Sequence, residues 1–248
     1  MNHLKFTSSD MHHAQWAIIT GNPFRLELMA NSLLSDSHEI FWDREYRCWV
    51  GRRGKLSFLF ASHGIGGPST SILMEEMALL GVRHVIRMGT SGSIQPKVLA
   101  GDLVVTLASV RLDGASRHYA PLEYPAVADP AMSLGLYHAA VNAAHRVHMG
   151  ITASSDTFYP GQERYDSFGQ YVIRDFQGSM EEWQRLHVLN YEMESATLLT
   201  MGQVMDISCA CITGIVAQRC NDEKIDESIV QKVEQSCIES IGIYLDTL

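Results

Sequence analysis

Six apolar runs rich in β-branched residues alternate with stretches of helical patterning, and this restricts the chain to an α/β architecture with a largely parallel or mixed sheet. The strand-like runs lie at residues 17–20, 56–62, 82–88, 102–111, 148–154 and 209–217. Helical patterning predicts helices over 24–34, from the end of Gly66-Gly67-Pro68-Ser69 to residue 80, over 130–145, over most of 191–204, and over 227–245. Pro23 suits the first turn of the earliest of these, because its missing N–H has no helical partner there anyway. No linker, repeat or low-complexity stretch interrupts the pattern, so residues 1–248 read as one domain.

A chain of 248 residues can bury a substantial core, and 46% hydrophobic with 19% charged residues is ordinary globular composition. The net charge of −9 argues against a general nucleic-acid binder, which needs a basic footprint. It leaves room for a small anion where a few arginines converge. The N-terminus Met1-Asn2-His3-Leu4-Lys5 does not lead into an apolar run, and no stretch approaches the roughly 20 apolar residues of a membrane span. The expectation is a cytoplasmic protein. The five cysteines contain no Cys-x-x-Cys pair; Cys209 and Cys211 would share one face of a strand, which suits a core role. The eleven histidines show no zinc-ligand grouping, and His12-His13 and the His145/His148 pair read as surface residues.

In open α/β sheets ligands bind where loops leave the carboxyl ends of strands. The informative motifs fall at such ends: Gly21-Asn22-Pro23, Gly64-Ile65-Gly66-Gly67, Gly89-Thr90-Ser91-Gly92 and the segment after residue 154. Gly21 permits close backbone approach, and the helix starting near Pro23 offers free N–H groups to an anion. Arg25, Arg44 and Arg87, with Thr90, suit phosphate, which arginine binds bidentately; separate surface ion pairs would use the same arginines. Neither the phosphate cradle of nucleoside triphosphatases nor Gly-x-Gly-x-x-Gly is present.

Within seven residues, Phe158, Gln162 and Arg164 combine an aromatic face, an amide with donor and acceptor, and a planar fork of donors. That set can read the edge of an imide-like heterocycle such as uracil, and it also fits an ordinary polar turn. Glu192 and Glu194 would project together from an extended segment and diverge in a helix. Glu194 can accept two hydrogen bonds from a sugar diol, or either acid can favour a helix N-terminus. Two acids this close on one element do not straddle a bond as a glycosidase pair must. Arg219 ends the last strand and faces either ligand or solvent.

The chain resembles the nucleoside phosphorylase family, in particular its bacterial pyrimidine-acting members, over nearly its whole length. The resemblance rests on Gly64-Ile65-Gly66-Gly67-Pro68-Ser69-Thr70-Ser71, Ser109-Val110-Arg111-Leu112-Asp113-Gly114-Ala115-Ser116, residues 153–166, Gly178-Ser179-Met180-Glu181-Glu182-Trp183 and residues 190–200. It implies a three-layer α/β/α sandwich with a mixed central sheet. It also implies a pentosyltransferase that converts uridine (and by extension deoxyuridine or thymidine) and inorganic phosphate to uracil and ribose 1-phosphate, in pyrimidine nucleoside salvage and catabolism, without an organic cofactor.

Carried over by motif, Gly21, Arg25, Arg44, Arg87 and Thr90 would hold phosphate. Glu192, Met193 and Glu194 would hold the ribose, with Glu194 on the hydroxyls, and Thr90 would also meet the nucleoside. Phe158, Gln162, Arg164 and Arg219 would hold the base, and Arg87, Glu194 and Arg219 would carry the catalytic load. His3 matches a histidine lent to a neighbouring subunit's site, which makes a dimer the minimal active unit; family members form hexamers as trimers of dimers. Glu45, Ile65 and Ser69 match ligands of a monovalent cation, usually K⁺, between subunits.

Purine-specific relatives place a Ser-Asp pair after the last core strand, whereas this chain reads Gln218-Arg219-Cys220-Asn221-Asp222, which favours a pyrimidine. Further departures are Asn22 where Asp is usual, His63 where a small hydroxyl residue is common, and Gln218 and Cys220 in place of Asn and Thr. Two functional classes follow: an active phosphorylase, or a nucleoside-binding paralogue whose turnover was lost with the change at Asn22.

Overall fold

The computed structural model describes residues 1–220, 223 and 225–248, so Asn221 and Asp222 lie outside the described residues. The elements run β1 (Trp16–Thr20), α1 (Leu26–Leu33), β2 (Ser35–Asp43), β3 (Tyr46–Arg53), β4 (Leu56–Ser62), α2 (Gly67–Leu80), β5 (His84–Ser93), β6 (Leu103–Leu112), β7 (Ala126–Val127), α3 (Pro130–Asn142), β8 (Val147–Ser155), α4 (Ser179–Arg185), β9 (Asn190–Glu192), α5 (Ser195–Val204), β10 (Ser208–Gln218) and α6 (Glu227–Leu245). Among the described residues, the strands form one mixed sheet in the order β10-β6-β8-β9-β5-β1-β4-β3-β2, with β7 on β6. A further pairing of β10 with β5 closes β10-β6-β8-β9-β5 on itself.

The central strands are apolar on both faces, as expected where helices cover both sides of a sheet. Their alternation sorts them into two cores. Ile18, Phe58, Phe60, Ile86 and Met88 point to the layer of α1, α3 and α6, where they meet Leu26, Leu136 and Ile241. Ala17, Ile19, Leu59, Ala61 and Val85 point the other way, to Met74 of α2 and Leu198 of α5. The result is an α/β/α sandwich.

Three expectations from the sequence are corrected. The helix expected over 24–34 begins only at Leu26, because Pro23–Arg25 forms a 3₁₀ turn capped by Asn22, whose side chain accepts from the Phe24 N–H at 3.0 Å. The helix expected over 130–145 stops at Asn142, and the chain leaves it through Ala144 at φ 58°. Gly89-Thr90-Ser91-Gly92 does not end its strand: β5 continues to Ser93 because β10 pairs with it as far as Gln218. The helix expected over most of 191–204 is present as α5 from Ser195, and Asn190–Glu192 ahead of it forms β9. The hairpin β2–β3 gave no strand signal, since β2 lies at the sheet edge and carries mostly exposed polar residues that blur its period. Among the described residues no helix is long and apolar enough to cross a membrane.

Candidate active site

The chain leaving β1, β4, β8 and β9 meets the C-terminal half of β5 around a cavity of about 590 Å³. β9 runs antiparallel to β5, with Tyr191 opposite Gly92, so Glu192 to Glu194 descend beside Gly89 and Thr90. Gly21, Arg25, Arg87, Thr90, Phe158, Gln162, Arg164, Glu192, Met193 and Glu194 all line this one space.

One end is built from the β1 and β4 turns. The Gly64 N–H donates to the Gly21 carbonyl at 3.1 Å. A Cβ on Gly21 would stand 2.9 Å from the Gly64 carbonyl oxygen, so only glycine lets the two turns close. Arg25 enters from the following turn, its Nε 2.5 Å from Glu234 of α6.

Arg87 occupies the centre. Its guanidinium is buried, 4% exposed, and it pairs with both Glu194, through Nη2, and Glu192, at 3.3 Å from Nη1. Nη1 also lies 3.6 Å from the Cys211 sulfur. Burial alone would favour loss of the charge; Glu194 and Glu192 more than offset this and raise the pKa above its usual value.

Gly66, at φ 92°, turns its N–H onto Glu194 at 2.6 Å. Glu192 folds back instead, accepting from the N–H groups of Glu194 at 2.9 Å and Ser195 at 2.9 Å, and from the Ser195 hydroxyl at 2.5 Å. The helix-terminus role therefore falls to Glu192, and Glu194 is the carboxylate held across the cavity.

His63 packs beneath this end, fully buried. The Thr70 hydroxyl donates to the Gly66 carbonyl at 3.0 Å, so at 3.3 Å it accepts from His63 Nδ1–H, and Nε2 is the bare nitrogen. Burial first, and the charge of Arg87 second, push the His63 pKa well below the usual imidazole value. The ring is neutral at physiological pH.

At the other end the Arg164 guanidinium lies 4.0 Å over the Phe158 ring and covers one face of it. Gln162 is buried beside them. Glu223 grips the Arg164 fork on both sides, at 2.7 Å from Nη1 and 2.6 Å from Nη2. Arg219 stands behind the lining, its Cζ 5.4 Å over Tyr191 and its Nε 3.5 Å from Glu223.

Besides Arg219, three sets of sequence-predicted residues lie outside the cavity wall of this chain, with Ile65 alone among them reaching it. Arg44 is exposed in the β2–β3 turn at φ 57°. His3 is tied to α2 by Glu76, which takes His3 Nδ1 at 3.0 Å and the backbone N–H groups of Asn2 at 2.9 Å and Leu4 at 2.6 Å. Burial opposes ionisation of Glu76, but these bonds hold its pKa down to about 2. Glu45 and Ser69 gather against Gly64, with Ile65 exposed between them and itself on the cavity rim. Their donors, a carboxylate, a hydroxyl and a carbonyl, are hard oxygens that suit an alkali cation. Glu223 and Glu234 were not among the sequence candidates: each meets its arginine across a long sequence separation that no local pattern encodes.

A family model described as Phosphorylase superfamily matches residues 15–248, and the chain belongs to that family. Among its relatives, the uridine phosphorylase of Salmonella typhimurium is 46% identical over 239 residues, covering 96% of this chain and 94% of the relative. That of Escherichia coli K12 is likewise 46% identical with the same coverage, and that of Haemophilus influenzae is 43% identical over 240 residues, again 96% and 94%.

Proposed function

We propose that this chain, as a single domain spanning residues 1–248, catalyses the phosphorolysis of uridine to uracil and ribose 1-phosphate. The reading is carried by one observation: a single cavity joins an arginine-rich, glycine-turned end to an aromatic-amide-guanidinium end, with Glu194 between them. Phosphate, ribose and a pyrimidine base have that order in a nucleoside undergoing attack. Likeness to three uridine phosphorylases over 96% of the chain supports the same substrate.

In this reaction an oxygen of phosphate forms a bond to the anomeric carbon as the C1′–N1 bond breaks, its electron pair leaving with the base. Positive charge grows on the sugar and negative charge on uracil, which then takes a proton from solvent. Arg25, Arg87, Gly21 and Thr90 hold the dianion beneath the sugar, where it first stabilises and then captures the cationic carbon. Glu194 accepts from the ribose hydroxyls, and its bonds to Arg87 and Gly66 fix its direction. Phe158 stacks on the base, Gln162 meets its imide edge, and Arg164 with Arg219 stabilises the leaving anion. Catalysis here is positioning and fixed charge, with no covalent enzyme intermediate.

Arg44 and His3 lie outside the cavity and act, in this reading, on a neighbouring copy: the active unit is a dimer, assembled as a hexamer in the cytoplasm. Glu45, Ile65 and Ser69 supply three oxygens on that subunit boundary for K⁺. The test is uracil release from uridine with and without phosphate. The proposal expects release only with phosphate, matched mole for mole by ribose 1-phosphate. Equal release in both arms would identify a hydrolase, and none in either would identify a binding protein.

A further inference from the structure

Glu223 lines the cavity, and neither the motifs nor the proposed mechanism gives it a role. Both its oxygens face Arg164: one accepts from Nη1 at 2.7 Å and the other lies 2.6 Å from Nη2, so the carboxylate holds the guanidinium by a charge-assisted bond and an ion pair. The same carboxylate stands 3.5 Å from Arg219 Nε, too far for a hydrogen bond but close enough to attract its charge. The Arg164 and Arg219 side chains are both almost fully buried and repel one another; burial, then the charge of Arg164, lowers the Arg219 pKa. One carboxylate between two guanidinium groups leaves a net single positive charge at the base end. It also leaves donors unspent. Arg164 Nε and Arg219 Nε and Nη1 are buried and have no hydrogen-bond partner among the described residues. Unpaired buried N–H groups are costly and are kept where a ligand completes them.

Resting on the uridine phosphorylase reading, we infer that Glu223 is a positioning residue for the leaving group: it clamps Arg164 and draws in Arg219 so that their unpartnered N–H groups converge on the oxygens of a pyrimidine-dione anion. Without it the two cations swing apart, and the charge that meets the developing anion weakens. The effect is specific to the base. Phosphate binds around Arg25 and Arg87 at the other end, and Glu223 touches neither of them. It is also graded by chemistry, because a base that forms a more stable anion needs less help to leave.

The experiment compares the full-length wild type with Glu223→Gln and Glu223→Asp on uridine and on 5-fluorouridine, whose base is the more acidic, at varied phosphate. The wild type must show phosphate-dependent uracil release; if it does not, the functional reading fails before this inference is reached. Given that activity, Glu223→Gln is expected to lose on the order of 10²-fold in kcat/KM for uridine, the scale of losing one transition-state donor. The loss on 5-fluorouridine should be several-fold smaller, KM for phosphate should be unchanged, and Glu223→Asp should recover part of the deficit. Equal losses on both substrates, a shifted phosphate KM, or unaltered turnover in Glu223→Gln would each overturn the inference. If Glu223→Gln does not fold, Glu223→Asp carries the same substrate comparison, and equal losses on both substrates again overturn it.

Discussion

His63 is fully buried beside the Gly64 turn, and its neutral ring has a measurable consequence. Its folded pKa is depressed, so between the unfolded value near 6.5 and the folded value the unfolded chain binds a proton that the native chain does not. Stability contributed by the uncharged ring is complete above that window and is lost as pH falls through it. His63→Thr removes this dependence: its melting temperature should fall less than that of the wild type between pH 7 and pH 5, and parallel curves would show that the ring does not titrate on unfolding. Arg164→Ala tests the base end. It should lower kcat/KM for uridine by about 10²-fold while the chain stays folded, which circular dichroism and initial rates together check. An unchanged ratio removes Arg164 from the site. At this scale the sequence points to many of the side chains that line the cavity but not to how they are partnered. Phe158, Gln162 and Arg164 stand within seven residues and are visible as a unit, whereas Glu223 meets Arg164 across 59 residues.

The elements that place the site are those whose apolar period is undisturbed. β4 was legible to the residue because both its faces are buried, and β6, β8 and β10 to within one residue. The β2–β3 hairpin was not, because its outer strand faces water and has no buried face to impose alternation. Where residues 190–204 change from strand to helix was left open by the sequence, since it turns on Glu192 capping α5 with its own carboxylate. The N-terminal segment shows how one side chain can hold an element. Glu76 of α2 takes three backbone N–H groups and the His3 ring, and its depressed pKa means this contribution is present above about pH 4.5 and lost as pH falls toward 2. Glu76→Gln should free residues 1–6 to proteolysis at neutral pH and lower stability by about 1–3 kcal/mol, measured by urea unfolding. The difference from wild type should shrink as both are taken below pH 4. A protected N-terminus in the variant would show that Leu4 and Phe6, buried in the α2-side core, hold the segment alone.

Across the whole molecule, the sheet sets the direction of every turn that reaches the cavity, and the two ends of that cavity divide the chemistry. In the proposed reaction the base end selects what leaves and the arginine end supplies what attacks. Convergence of β1, β4, β5 and β8 on one space was foreseeable from the motifs at residues 21–23, 64–67, 89–92 and after 154, but the part played by β9 and the closure of β10 onto β5 were not, because pairing between distant strands leaves no local trace. The claim that phosphate itself captures the sugar is tested most directly with phosphate labelled at all four oxygens with ¹⁸O, incubated with uridine and the purified protein. A bond formed between phosphate oxygen and C1′ predicts ribose 1-phosphate that retains all four labels, in an amount equal to the uracil released. Free ribose carrying an oxygen from solvent, with labelled phosphate left unconsumed, would contradict it.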